Sequence, residues 1–135
     1  MARTTVTLFG VNYATQVVAR DHHLVADEPA ALGGGDAGAS PYELLLASLG
    51  ACTAITLKMY ADRKAWPLAE VTVDLHYQGG ASPLIQRVLH VAGDLDEIQR
   101  ARLADIAERT PVTMTLRRGV AIQTTLAADT HRAQV

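Results

Sequence analysis

The residue best suited to chemistry in this sequence is its single cysteine, Cys52. It lies in the most apolar stretch of the 135-residue chain, residues 44–57, which carries no charge. A thiol reacts as the thiolate, which a nearby cation or a helix N-terminus must stabilise. A free cysteine without such a neighbour packs as a small hydrophobic residue. The residue types alone leave both interpretations open for Cys52.

Other kinds of site lack the residues that they need. One cysteine can form neither an intramolecular disulfide nor a four-cysteine zinc site. The histidines show no ligand spacing, so no metal and no cofactor are predicted. The glycine-rich residues 33–38 lack the Gly-Lys-Ser/Thr ending of a phosphate loop and indicate a flexible connection. Arg117 and Arg118 are predicted to be a solvated pair.

Length and composition predict one globular domain over residues 1–135. Hydrophobic residues make up 49% of the chain and aromatic residues 4%, so the core must be aliphatic. A net charge of −2 gives no field that would attract nucleic acid or an anionic membrane. The apolar run of 14 residues is shorter than the roughly 20 that a membrane span needs, and no signal peptide is evident. We therefore expect a soluble, cytoplasmic protein.

Hydrophobic periodicity predicts an α+β domain with the order β-β-β-α-β-β-α-β. The predicted strands cover residues 4–9, 13–20, 24–26, 71–77, 86–91 and 120–126. Ser40, Pro41 and Glu43 form the signature of a capping box, which begins a helix that should end near Ala61. A second helix is predicted from an Asp94 cap to about residue 109, and Thr110-Pro111 should begin a further helical turn.

The first predicted helix has no polar face between residues 44 and 57. A helix that is apolar all round is buried all round. A domain of this size can hardly enclose a whole helix, so we expect a partner subunit to cover part of it.

The sequence around Cys52 resembles the central helix of the OsmC/Ohr family. The residues that carry the resemblance are SPYELLLASLGACTA at 40–54, supported by DEP at 27–29 and by MYADRKAWPL at 59–68. ERTPV at 108–112 resembles the family's second motif, in which Cys-Pro-Val is usual. The resemblance spans residues 24–126. It implies an α+β fold with antiparallel sheets around a buried central helix, in an intertwined homodimer that reduces organic hydroperoxides.

Carried over residue by residue, the resemblance makes Cys52 the cysteine that attacks the peroxide. The family's second cysteine falls on Thr110, which cannot form a disulfide. The glutamate that follows the proline in the family's peroxidases falls on Tyr42, with Glu43 one residue later. The family's arginine that activates the thiolate lies near the start of the second strand. This sequence has no arginine there, and Arg20 is the nearest substitute. Thr110, Glu43 and Arg20 are therefore the further residues that could line the site.

Three hypotheses follow from these observations. The first is a stress-response thiol peroxidase in which Cys52 alone attacks an organic hydroperoxide, near an apolar pocket around Tyr60 or Trp66, and an external thiol regenerates it. The second is a catalytically impaired relative that binds a small hydrophobic ligand at the dimer interface, which the changes at Thr110 and Glu43 favour. The third is a module that only dimerises.

Overall fold

A computed structural model of the chain describes residues 1–10 and 12–128. Its N-terminal part is the predicted meander, a three-stranded antiparallel sheet in the order β1-β2-β3. The strands are β1 (Thr5–Leu8), β2 (Thr15–Ala19) and β3 (His22–Ala26). Ala19 pairs with His22 across a two-residue turn in which Arg20 has a φ of +55°. His22 therefore begins a strand, whereas the sequence placed it in the turn.

The glycine-rich segment after β3 is held by backbone hydrogen bonds around Asp27. The Asp27 carboxylate accepts hydrogen bonds from the amides of Glu28 at 2.7 Å and Ala37 at 3.0 Å. These hydrogen bonds hold the pKa of Asp27 below its ordinary value, and the bond from Ala37 has the largest effect. Gly38 lies so close to the Val25 carbonyl that a Cβ would be 2.0 Å from its oxygen. The segment is a connection, as predicted, and these hydrogen bonds fix its path between β3 and the helix that follows.

Helix α1 (Pro41–Arg63) confirms the predicted capping box. The Ser40 hydroxyl accepts from the Glu43 amide, and the Glu43 carboxylate accepts from the Ser40 amide. By length and composition this 23-residue helix would be able to cross a bilayer, a test that the core helix of a soluble protein also passes. At Gly50 it approaches the second sheet so closely that a Cβ would lie 2.8 Å from Leu75.

Two long strands form the surface on which α1 packs. They are β4 (Leu68–Gln78) and β5 (Leu84–Gly93), paired as an antiparallel hairpin. Each extends beyond its predicted bounds, because the pairing of the two strands continues from the pair Leu68 and Gly93 to the pair Gln78 and Leu84.

Two helices complete the described chain, α2 (Glu97–Ala107) and α3 (Pro111–Arg118). The predicted cap of α2 is wrong by two residues, since Asp96 rather than Asp94 accepts from the Gln99 amide. The Gln99 side chain returns a bond to the Asp96 amide, which makes a second capping box. Asp94 precedes the helix, although Glu97 stands three residues after it as a capping box would require.

The core lies between α1, the hairpin and α2, on one side of α1 only. Its buried members are Leu57, Ala61, Leu68, Leu95, Leu103 and Ala107. On the opposite side of α1, Ile55 is 53% exposed and Met59 is 60% exposed. A single chain therefore leaves one side of the helix exposed, because it has too few elements to enclose it, and the expected cover by a partner subunit stays a prediction.

The predicted last strand, residues 120–126, is also wrong. The structure assigns no strand there, and the side chains of Ile122 and Leu126 are 87% and 97% exposed. A strand exists only through pairing with a neighbour. Alternating residues predict the extended form but supply no neighbour, and within the described residues this segment has none.

Candidate functional site

Cys52 lies in the fourth turn of α1 and is partly buried. Its sulfur accepts a hydrogen bond from the Val112 amide at 3.5 Å and lies 4.0 Å from the Thr56 hydroxyl. Val112 is the second residue of α3, so the N-terminus of another helix points at the thiol. The N-terminus of α1 itself is too distant to act on Cys52, because the effect of a helix end fades within one turn.

The local sequence explains why α3 begins at this point. Thr110 has extended backbone angles, and Pro111 fits the first helical position because that position needs no N–H donor. The amides of the first turn have no partner inside the helix, and they form its positive end. One of them, from Val112, is directed at the Cys52 sulfur. Such a donor stabilises negative charge on sulfur.

Arg87, on β5, connects α1 to α3 beside this contact. Its Nη1 donates to the hydroxyl of Thr53 at 3.0 Å and to that of Thr113 at 2.9 Å. Its Nη2 donates to Glu108 at 3.1 Å, and the Arg87 side chain is only 11% exposed. A nearly buried guanidinium thus lies between the sequence neighbours of Cys52 and Val112.

Glu108 is shared by two arginines. Arg117 Nη2 donates to its carboxylate at 2.8 Å, and Arg117 Nη1 donates to its backbone carbonyl at 3.1 Å. The hydrogen bond from Arg117 is the main reason why the pKa of Glu108 lies below its ordinary value, with a smaller contribution from Arg87. Arg117 is exposed, as predicted for a solvated residue, but it also has a carboxylate partner.

Thr110 is fully buried at the entry to α3. Its hydroxyl lies 2.7 Å from that of Thr113, the residue that accepts from Arg87. Thr110 therefore belongs to the polar cluster behind the Cys52–Val112 contact.

The other two predicted site residues lie elsewhere in the chain. The Glu43 carboxylate is occupied by the capping box, whose bond from Ser40 lowers the pKa of Glu43. Nine residues of helix place it about 13 Å from Cys52 along the axis. Arg20 is exposed in the β2–β3 turn, on the N-terminal sheet.

An open cleft of about 660 Å³ lies beside the polar cluster. Arg87, Glu108 and Arg117 form its polar side, and the rings of Tyr42 and Tyr77 stack 4.7 Å apart in its wall. The rest of the lining is mainly aliphatic, with Leu45, Leu49, Pro83, Leu84, Ile85 and Leu116.

The predicted pocket around Tyr60 or Trp66 does not coincide with this cleft. Those two rings pack edge to face, 5.5 Å apart, against the buried core. Tyr60 follows Cys52 by two helical turns and its hydroxyl accepts from Arg102. The two rings stabilise the end of α1 and do not line a space next to the thiol.

Sequence reasoning missed Arg87 and Val112, although one signal for Arg87 was present. Ile85, Leu89 and Val91 alternate along β5 on its partly buried face, and Arg87 occupies the same face. A charged residue on the inward face of a strand needs a polar partner there. The Val112 contact had no comparable signal, because it joins residues 60 positions apart.

Comparisons with known proteins agree on the fold. The family model for OsmC-like proteins matches residues 33–125. The solved OsmC-like protein of Mycoplasma pneumoniae is similar with a TM-score of 0.74 at 17% identity, over 87% of each chain. The organic hydroperoxide resistance protein OhrB of Bacillus subtilis gives a TM-score of 0.62 at 22% identity, over 87% of this chain and 90% of that one.

A third solved structure, the organic hydroperoxide resistance protein OsmC of Legionella pneumophila, gives a TM-score of 0.61 at 21% identity. That likeness covers 87% of this chain and 89% of the other. Among proteins with curated descriptions, none matches this sequence.

Fold and site together define an α+β protein whose long helix presents a thiol to the N-terminus of a second helix. Because the family model covers more than half of its length, the chain belongs to the OsmC family of OsmC-like proteins.

Proposed function

We propose that this chain reduces organic hydroperoxides, with Cys52 as its only attacking thiol. The observation that carries the proposal is the 3.5 Å hydrogen bond from the Val112 amide, at the start of α3, to the Cys52 sulfur. It gives the one thiol of the chain a donor that stabilises negative charge. The fold shared with solved organic hydroperoxide resistance proteins supports the same reaction class.

The attack needs no group beyond the thiolate and the peroxide. The Cys52 sulfur bonds to the terminal oxygen of R–O–O–H while the O–O bond breaks. Cys52 becomes a sulfenic acid, and the alkoxide leaves with the electron pair and takes a proton from solvent to form the alcohol. The sulfur is oxidised by two electrons and the peroxide is reduced by two.

An external thiol must complete the cycle, because the chain has no second cysteine. A first external thiol condenses with the sulfenic acid, which releases water and forms a mixed disulfide. A second thiol attacks that disulfide, frees the Cys52 thiolate and leaves as the external disulfide. A reducing compartment supplies such thiols, which is why we place the protein in the cytoplasm.

Stopped-flow measurement of cumene hydroperoxide consumption, with a small dithiol as reductant, tests this reaction. We expect Cys52→Ser to reduce the rate to the background of the reductant alone. The matched control is the double variant Cys52→Ser/Ser48→Cys, which moves the thiol one turn along the same helix. Ser48 is exposed, and its hydroxyl bonds only within its own helix.

The two variants separate a positioned thiol from any thiol. We expect the relocated cysteine to react no faster than a free thiol, because it lacks the Val112 amide. Equal rates for the wild-type protein and Cys52→Ser would overturn the proposal. A relocated cysteine as fast as wild type would show that the α3 contact has no part in it.

We also propose that the chain acts as a homodimer. The side of α1 that carries Ile55 and Met59 is exposed in the single chain, although it is apolar. The N-terminal sheet likewise exposes Val6 and Leu8, at 56% and 55%. A second copy would cover such surface, which monomers rarely leave in large patches. Sedimentation equilibrium should give a mass of two chains. Met59→Glu should lower the measured mass toward that of one chain.

The cleft favours a second candidate function, the binding of a small hydrophobic molecule. Its aliphatic wall and the Tyr42–Tyr77 stack offer apolar contacts, and Arg87 and Arg117 lie at its polar side. Native mass spectrometry of the gently purified protein would reveal such a ligand. An empty cleft whose thermal midpoint does not move with added fatty acid would contradict this candidate.

A further inference from the structure

Arg87 is a nearly buried cation that takes part in no step of the proposed reaction. Its side chain is 11% exposed, and its hydrogen bonds reach three different elements. Nη1 donates to Thr53 on α1 and to Thr113 on α3, whereas Nη2 donates to Glu108, the cap of α2. Burying an arginine is costly unless each donor finds a partner, so this geometry is specific.

The two hydroxyls that Nη1 contacts belong to the sequence neighbours of the two residues in the thiol contact. Thr53 follows Cys52 directly, and Thr113 follows Val112 directly. One nitrogen of the guanidinium therefore bridges the two chain segments whose neighbouring atoms are the Cys52 sulfur and the Val112 N–H.

The hydrogen-bond arrangement leaves the Thr53 hydroxyl no easy substitute for Arg87. Thr53 donates its own proton to the Leu49 carbonyl at 2.7 Å, so it can only accept from the guanidinium. Thr113 lies 2.7 Å from the Thr110 hydroxyl inside the same buried cluster. Without Arg87, Thr53 would lose this donor and Thr113 would lose its bond to the arginine that also contacts α1, in a site that solvent hardly reaches.

Glu108 fixes the direction of the guanidinium. Its carboxylate takes Nη2 of Arg87 on one oxygen and Arg117 on the other. The carboxylate therefore lies at the Nη2 end, and Nη1 faces neutral hydroxyls next to the thiol.

We propose that Arg87 is a positioning residue for Cys52, which holds the first turn of α3 against α1 so that the Val112 amide faces the sulfur. This inference rests on the proposed role of Cys52. It is tested without peroxide, so that either proposal can fail alone.

The test is the rate of Cys52 alkylation by iodoacetamide as a function of pH, in the full chain. We expect Arg87→Met to slow alkylation at neutral pH by about fivefold, the worth of a helix N-terminal contact to a negative charge. We also expect it to move the midpoint of the pH–rate profile upward. Arg87→Lys should recover part of both changes, because a lysine keeps the charge but cannot make the same fork.

Arg109→Met is the matched control, since it removes an exposed arginine that bonds Asp105 and leaves the Arg87 contacts to Thr53, Thr113 and Glu108 in place. It should keep the wild-type profile. Thermal melts identify variants that fail to fold. If Arg87→Met does not fold, Thr113→Val and Thr113→Ser make the comparison, because only the serine keeps the acceptor.

A folded Arg87→Met, or Thr113→Val in its place, with the wild-type alkylation profile would overturn the inference. A shifted profile that Lys or Ser partly restores would support it. Shifted alkylation in a protein that does not consume cumene hydroperoxide would sustain the positioning role and refute the peroxidase proposal.

Discussion

Two regions of this chain are built in different ways. The packed half, consisting of α1, β4, β5, α2 and α3, encloses a core and the polar cluster behind Cys52. The N-terminal sheet, consisting of β1, β2 and β3, is well paired within itself but leaves apolar side chains such as Leu8 and Leu24 exposed. Strand pairing alone can thus fix a sheet, while the energy of burial must come from other elements.

The difference indicates that the packed half carries the folding of the single chain, whereas the N-terminal sheet carries surface that would serve assembly. The packed half holds both atoms of the Cys52–Val112 contact, so a single chain builds the candidate site. The N-terminal sheet and residues 120–126 expose the surfaces that a second copy would need. Substitutions in each region can test this division.

The largest contrast is between two leucine truncations. Leu57→Ala, at a position with no exposure, should lower the free energy of unfolding by about 3 kcal/mol, because it leaves a cavity in the core. Leu8→Ala on the exposed sheet should cost under about 1 kcal/mol. Urea denaturation at several protein concentrations measures both. Equal costs that do not depend on concentration would contradict the division.

The second prediction concerns the charge shared by two arginines. Glu108→Gln should destabilise the protein by about 2 kcal/mol, because Arg87 remains nearly buried without its carboxylate. Asp62→Asn, which removes the partner of the exposed Lys58, is the matched control and should change stability much less. Thermal denaturation compares the two variants, and an equal loss would mean that the burial of Arg87 adds nothing.

Asp27 should give the protein an acid-sensitive link between the two regions. Its folded pKa is below the ordinary 3.8, because the Ala37 and Glu28 amides donate to the carboxylate. Its contribution to stability is therefore complete above pH 3.8 and is lost as the pH falls through the folded value. Asp27→Asn should lower the thermal midpoint at pH 7 and flatten its fall below pH 4. An unchanged acid limb would exclude this role.

The smallest effect is expected in residues 120–126. Ile122→Ser should change the free energy of unfolding of the single chain by less than about 0.5 kcal/mol, because Ile122 is 87% exposed. Urea denaturation checks this at low protein concentration. A large loss under those conditions would contradict the structure. A loss that grows with protein concentration would indicate that a second copy pairs with this segment.

The sequence was enough to predict the elements whose causes are local. The capping box of Ser40 and Glu43, the Thr110-Pro111 helix start and the alternation of β4 and β5 each depend on neighbours a few residues apart. It also carried the family assignment, through the residues around Cys52.

Only the tertiary structure decided what surrounds the thiol. The Val112 amide reaches Cys52 across 60 residues, and Arg87 reaches Thr53 across 34. No local pattern records such distances, because they arise when separate elements pack together. The missing strand at residues 120–126 has the same cause. Its alternation is a local property, but a strand needs a partner, and the described part of the single chain supplies none.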